Sequence, residues 1–135
     1  MAKISKTYKP TQKEKFMNAK MKEYFRQKLK NWKNELLKES SQTLNNLQTE
    51  NEAKPDMTDR ASEEIDRTFE LRTRDRERKL INKIDAALRR IEDGTYGYCE
   101  ETGEPIGLKR LEARPVATLS LEAQEMHEKA EKRLN

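Results

Sequence analysis

One cysteine stands in this 135-residue chain, which excludes an intrachain disulfide framework and fits a reducing compartment. Glycines and prolines number four each, too few for a low-complexity or loop-built protein. Aromatic residues make up 6% and hydrophobic residues of every kind only 33%, so a thick multilayer core is out of reach. No apolar run approaches a membrane span, and no apolar stretch of signal type follows the first residues. What the chain has instead is charge: 40% of its residues, with mean hydropathy −1.20. Such a composition stays ordered through narrow apolar seams between long helices.

The charge is unevenly laid. Residues 1–38 carry 12 basic and 3 acidic side chains, residues 39–70 carry 3 and 9, and residues 71–135 carry 14 and 13. Phosphate binding needs clustered Lys and Arg, and a uniformly basic nucleic-acid binder would not hold this acidic middle. The asymmetry points to a partner with different electrostatics along its length.

After a Lys-rich start, expected to be flexible over residues 1–15, apolar residues recur at Phe25, Leu29, Trp32, Leu36, Leu44 and Leu47. Steps of three and four place them on one helical stripe. Pro55 then breaks the run, and Asp56, Thr58 and Asp59 all suit a helix N-cap. A second stripe follows through Ala61, Ile65, Phe69, Leu80, Ile84, Leu88 and Ile91, and Gly94 ends it. Two long helices joined by a short turn predict an antiparallel coiled-coil hairpin over residues 16–93, its acidic tip near 54–61. At about 1.5 Å per residue, thirty residues per arm give a rod of roughly 45 Å. The seam is thin in ELRTRDRERK, where Arg76 falls near it by spacing and is expected to snorkel outward.

Residues 94–135 read differently. All four glycines fall between Ile91 and Ser120 with two prolines, marking a small turn-rich knuckle, and a helical pattern resumes at Ser120 with Leu121, Ala130 and Leu134 available to pack. The knuckle has the outline of a four-cysteine zinc ribbon, but Cys99 is followed by Thr102, Ser120 and Ala123 at the other three ligand positions. Ser120 suits a helix N-cap and Thr102 can brace the turn at Gly103. One thiolate cannot hold structural zinc and His127 adds at most one ligand, so zinc is not expected. Packing by Tyr96, Ile106, Leu108, Leu111 and Leu119 is expected to close the knuckle, with His127 on the surface. Cys99 is read as a small buried or half-buried residue, and a redox role would lack a resolving partner. The fold class is therefore all-α dominated: a helical hairpin, a small zinc-ribbon-like knuckle and a C-terminal helix.

PDMTDRA, ELRTRDRERKLINKI and YGYCEETGEPIGLKRLEARPVATLSLEA together resemble the DksA/TraR family over residues 32–134. The likeness is to its cysteine-poor, zinc-independent type, in which the fold is kept without the metal. The resemblance implies a factor that binds RNA polymerase and inserts its tip into the secondary channel, acting with the alarmone ppGpp in the stringent response. It would repress ribosomal-RNA promoters and activate some amino-acid biosynthesis promoters. By the same resemblance the tip motif matches Asp56, Asp59 and Ala61. The alarmone contributors match Leu80, Lys83 and Arg114, and Gln124 stands where the family has a further lysine, a neutral amide replacing a charge. Arg74, Arg76, Arg78 and Lys79 are candidate polymerase contacts. The expected protein is a cytoplasmic monomer without a tightly bound cofactor, sequence-specific DNA binding, membrane attachment or enzymatic activity. A Gre-type transcript-cleavage factor or other secondary-channel protein, a structural coiled-coil adaptor and a direct nucleic-acid binder are the competing classes. The adaptor leaves PDMTDRA unexplained, and the nucleic-acid binder explains only the basic N-terminus.

Overall fold

The computed structural model describes residues 3–53 and 57–134, with side chains over 3–41 and 61–134. Four helices follow one another: α1 Ala19–Ala53, α2 Met57–Asp93, α3 Leu108–Ala113 and α4 Leu121–Leu134. Among the described residues the sole β-type pairing is an isolated antiparallel bridge between Tyr98 and Pro105. The fold is all-α dominated, as its composition requires. It divides into two compact units, one of residues 1–30 with 84–135 and one of residues 31–83.

The first unit holds most of the apolar core. Asn18 starts α1, its side-chain oxygen accepting from Met21 N–H at 2.9 Å and its carbonyl from Lys22 N–H at 3.0 Å. Met21, Phe25 and Leu29 of α1 are fully buried, and Ile84, Ala87 and Ile91 of α2 are buried in the same unit. Gly94 ends α2 in the left-handed region at φ 84°, and the N–H groups of Thr95 and Tyr96 both reach Arg90 O.

Residues 3–18 form no helix, yet they hold defined contacts. Tyr8 donates to Glu14 at 2.6 Å and sets its ring edge against Tyr24 at 6.1 Å. Phe16 meets Tyr98 at 5.5 Å, and Met17 is buried against Gly97. A side chain at Gly97 would strike Met17, whose Cγ lies 3.1 Å from where a Cβ would sit.

The second unit is built differently. Among its described residues only Leu36 is buried. Ile65 and Phe69, expected at the seam, are each 72% exposed. Along α2 within this unit the half-buried positions are instead Glu63, Arg67, Glu70, Thr73, Arg74, Glu77, Leu80 and Ile81. The reason is register. Ala61, Ile65 and Phe69 follow steps of four, each rotating about 40° further round the helix, whereas a seam needs steps of three and four in alternation. The row 63, 67, 70, 74, 77, 81 has that alternation and is charged from Glu63 to Glu77. Ser40 Oγ donates to Glu77 Oε2 at 2.5 Å across it. Arg74 rather than Arg76 lies at the seam; Arg76 is exposed.

Candidate functional site

The knuckle is assembled by backbone hydrogen bonds over a single turn. Cys99 N–H donates to Glu104 O at 2.8 Å, Gly103 N–H to Cys99 O at 2.9 Å and Ile106 N–H to Gly97 O at 2.8 Å. Glu100 N–H reaches Thr118 O at 2.9 Å, which ties the turn to the segment ahead of α4. Tyr96 is the central buried side chain, 2% exposed, its ring 5.6 Å from Phe25 and its hydroxyl donating to Pro115 O at 2.8 Å. Burial holds its phenol protonated well above the usual tyrosine range. Ile106 and Leu111 are buried as expected, while Leu108 and Leu119 are half-buried. Val116 and Ala117 complete the packing.

At the four ribbon positions each side chain has a task that needs no metal. Thr102 Oγ1 accepts from Glu104 N–H at 3.3 Å, bracing the turn. Ser120 Oγ accepts from Ala123 N–H at 3.2 Å, and Ser120 O from Gln124 N–H at 2.9 Å, so Ser120 is the N-cap of α4. Ala123 is buried and has no donor atom to offer a metal. Cys99 is 3% exposed. Its sulfur accepts from the Thr102 hydroxyl and from backbone N–H groups of Ser120, Thr102 and Glu101, which lower its pKa from 9.0 to about 6. These contacts favour the ionised sulfur without any metal. The donor set of one sulfur and two engaged hydroxyls does not fit structural zinc. No group of three or more metal-ligating side chains converges among the described residues. His127 meets the Glu101 carboxylate at the surface.

Around this centre, α4 packs less than its sequence suggests. Leu121 is 57% exposed, Ala130 and Leu134 are exposed, and Ala123 alone is buried. The apolar residues of α4 are too sparse to make a stripe, so the N-cap and Ala123 do the anchoring. On the other side, Lys28 bonds the Glu112 carboxylate at 2.7 Å and the Glu112 carbonyl at 3.1 Å, and Tyr24 donates to the same carboxylate at 3.1 Å. Burial and Glu112 together push Tyr24 up to about 12. Arg110 Nε holds Leu119 O at 2.9 Å. Arg114, exposed after α3, lines a cleft of about 460 Å³ with Gln12, Lys109 and Arg110.

The residues singled out by the resemblance are distributed over both units. Arg114 and Gln124 belong to the first, Leu80 and Lys83 to the second. Gln124 is half-buried and donates to Glu128 at 3.3 Å, Leu80 is half-buried and Lys83 exposed. Arg78 and Lys79 are exposed, while Arg74 is half-buried with its Nε atom lacking a hydrogen-bond partner. At the tip, Asp56 and the side chain of Asp59 lie outside the described residues, and Ala61 is exposed.

Two family models cover this arrangement. One, described as "DnaK suppressor protein DksA, N-terminal domain", matches residues 21–91. The other, "Prokaryotic dksA/traR C4-type zinc finger", matches residues 94–129. A protein of Caulobacter vibrioides named "RNA polymerase-binding transcription factor DksA" is 65% identical over 125 residues, covering 93% of this chain and 88% of its own length. The Escherichia coli protein of the same name is 44% identical over 121 residues, with 90% and 80% covered. The solved structure titled "transcription factor DksA2 from Pseudomonas aeruginosa" superposes with a TM-score of 0.81 at 44% identity, covering 87% of this chain and 90% of that one. Helix pair, knuckle and terminal helix are thus matched along nearly their whole length, and the chain belongs to the DksA family.

Proposed function

We propose that this chain is a transcription factor that binds RNA polymerase directly and regulates promoter complexes, rather than an enzyme or a DNA-reading repressor. The observation that carries this reading is the 65% identity, over 93% of the chain, with a relative named for polymerase binding. A regulator of this kind needs no catalytic apparatus of its own. No described helix is long and apolar enough to cross a membrane. Our reading is of a cytoplasmic monomer that acts on polymerase.

The finer mechanism follows from the family resemblance. The turn carrying Asp56, Asp59 and Ala61 enters the secondary channel, where carboxylates face basic catalytic elements and Mg²⁺. Arg74, Arg76, Arg78 and Lys79 of α2 meet the polymerase surface. Leu80, Lys83, Arg114 and Gln124 contribute to a ppGpp site that polymerase completes. Lys83 and Arg114 offer the cations that a polyphosphate requires, and Gln124 offers hydrogen bonds without charge. The decisive experiment is transcription in vitro from a ribosomal-RNA promoter with purified polymerase, with and without ppGpp. Shortened promoter-complex lifetime and reduced transcript are expected. Unchanged lifetime at saturating protein would overturn the proposal.

A further inference from the structure

The N-terminal segment carries a charge pattern that the proposed function assigns no task. Between residues 3 and 22 there are seven lysines and one carboxylate. That carboxylate, Glu14, is engaged by the Tyr8 hydroxyl at 2.6 Å, the Asn18 amide at 3.2 Å and the Thr11 hydroxyl at 3.3 Å. Lys3, Lys6, Lys9, Lys13, Lys15 and Lys20 are exposed, and none forms an ion pair among the described residues. The backbone beneath them is held by Tyr8 on Tyr24, Phe16 on Tyr98 and buried Met17. These ammonium groups therefore stand on an anchored platform, and less ordering entropy is lost when a ligand binds them.

We propose that this segment is a sequence-independent docking surface for the phosphate backbone of duplex nucleic acid. Its chemistry selects among polyanions. Single strands are gripped by bases stacked on free aromatic faces, but Tyr8 and Phe16 are spent on intramolecular edge contacts. Lysines alone hold an anionic membrane only weakly and reversibly; stable membrane binding adds an apolar face to insert, and Met17 and Met21 are buried inward. An acidic protein surface needs desolvated anchors beside the charges, and every exposed side chain from Lys3 to Lys15 is polar. A duplex requires only closely spaced cations, presenting one negative charge per about 1.7 Å of its axis. The surface stands independently of the polymerase reading. If the chain is held at a transcription complex, tethering would raise the local DNA concentration and make a weak contact count.

The test is fluorescence anisotropy of the full-length protein on two labelled duplexes of unrelated sequence across a salt series. A single strand, poly-glutamate and anionic phospholipid vesicles are measured in parallel. Wild type should bind both duplexes equally. Five lysine–phosphate pairs would give about a 500-fold loss of affinity between about 50 and 200 mM salt, from a slope of about −0.9 per pair. Replacing Lys3, Lys6, Lys9, Lys13 and Lys15 together with Gln should lower low-salt affinity at least tenfold and make the slope shallower by about 0.9 for every lysine–phosphate pair removed. The same five changed to Arg should retain binding, and circular dichroism should show unchanged helicity in both variants. Equal duplex binding by wild type and the Gln variant overturns the proposal. So does absence of duplex binding at low salt, or tighter binding of poly-glutamate, vesicles or single strand than of duplex.

Discussion

Removing a single oxygen from Tyr96 tests how a knuckle without metal stays closed. In Tyr96→Phe the ring keeps its place against Phe25, 5.6 Å away, but the 2.8 Å bond to Pro115 O is lost. Pro115 is buried, so its carbonyl keeps no evident substitute, and the cost is about 1–2 kcal/mol. Tyr96→Ala removes the ring as well and leaves a cavity at a site only 2% exposed, for about 3–5 kcal/mol. With a urea slope of about 2 kcal/mol per molar, the unfolding midpoint should fall by about 0.5–1 M for Phe and about 2 M for Ala. The chain is convenient for this measurement. Its four tyrosines all lie in the first unit and its single tryptophan, Trp32, in the second, so the two emissions follow the two units separately. The tyrosine midpoint should move with unchanged slope, and the Trp32 midpoint should move less. If Tyr96→Phe unfolds like wild type and Tyr96→Ala costs under about 1 kcal/mol, then Tyr96 is not what closes the knuckle.

Further outcomes are expected. Purified protein should retain its helicity under strong chelation and carry no stoichiometric zinc by elemental analysis; one tightly bound zinc per chain would contradict the donor chemistry at residues 99, 102, 120 and 123. The Cys99 thiol, ordinarily at 9.0 and about 6 when folded, makes stability rise with pH between those values and decline as pH falls through 6. Cys99→Ser should flatten that segment of the stability–pH curve, and identical curves would dismiss the thiolate. Asp59→Asn should leave polymerase affinity largely intact while weakening promoter regulation, and parallel loss of both would make the tip an anchor instead. Lys83→Ala or Arg114→Ala should reduce ppGpp-stimulated repression more than basal repression, each missing charge-assisted hydrogen bond costing about ten-fold or more in alarmone affinity. Gln124→Lys should strengthen the response, and no change in any of the three variants would remove these residues from the alarmone site.

Local signals were the most legible part of the sequence. Gly94 at the end of α2, Ser120 at the start of α4 and Thr102 in the turn all act through contacts within six residues, so spacing alone exposes them. Phe25, Leu29, Leu36, Ile84 and Ile91 were legible because helical periodicity and burial coincide there. Ile65 and Phe69 misled because a row of fours looks apolar and continuous, while the seam follows the charged row with alternating steps. The N-terminal contacts were not legible. Tyr8 and Phe16 sit among lysines in a stretch with neither helical nor strand period, and their partners Tyr24 and Tyr98 are fixed only by the tertiary fold. The Cys99 environment was hidden for a similar reason, since Ser120 N–H reaches its sulfur from 21 positions away. At the tip, PDMTDRA is legible as a motif, and its side-chain geometry lies outside the described residues.

The charged seam of the second unit has a consequence for partner binding. Helices that bury little apolar surface against each other open easily, and their amides exchange with solvent far below the cost of global unfolding. Here Ile65 and Phe69 lie uncovered on α2 while carboxylates and guanidinium groups fill the interior row. A surface that covers those two side chains would supply burial that the helix pair does not provide for itself, and would bind the formed pair in preference to the opened one. Docking and stiffening of residues 61–83 would then be a single event, and deuterium uptake across that stretch would fall when a partner is bound and recover when it leaves.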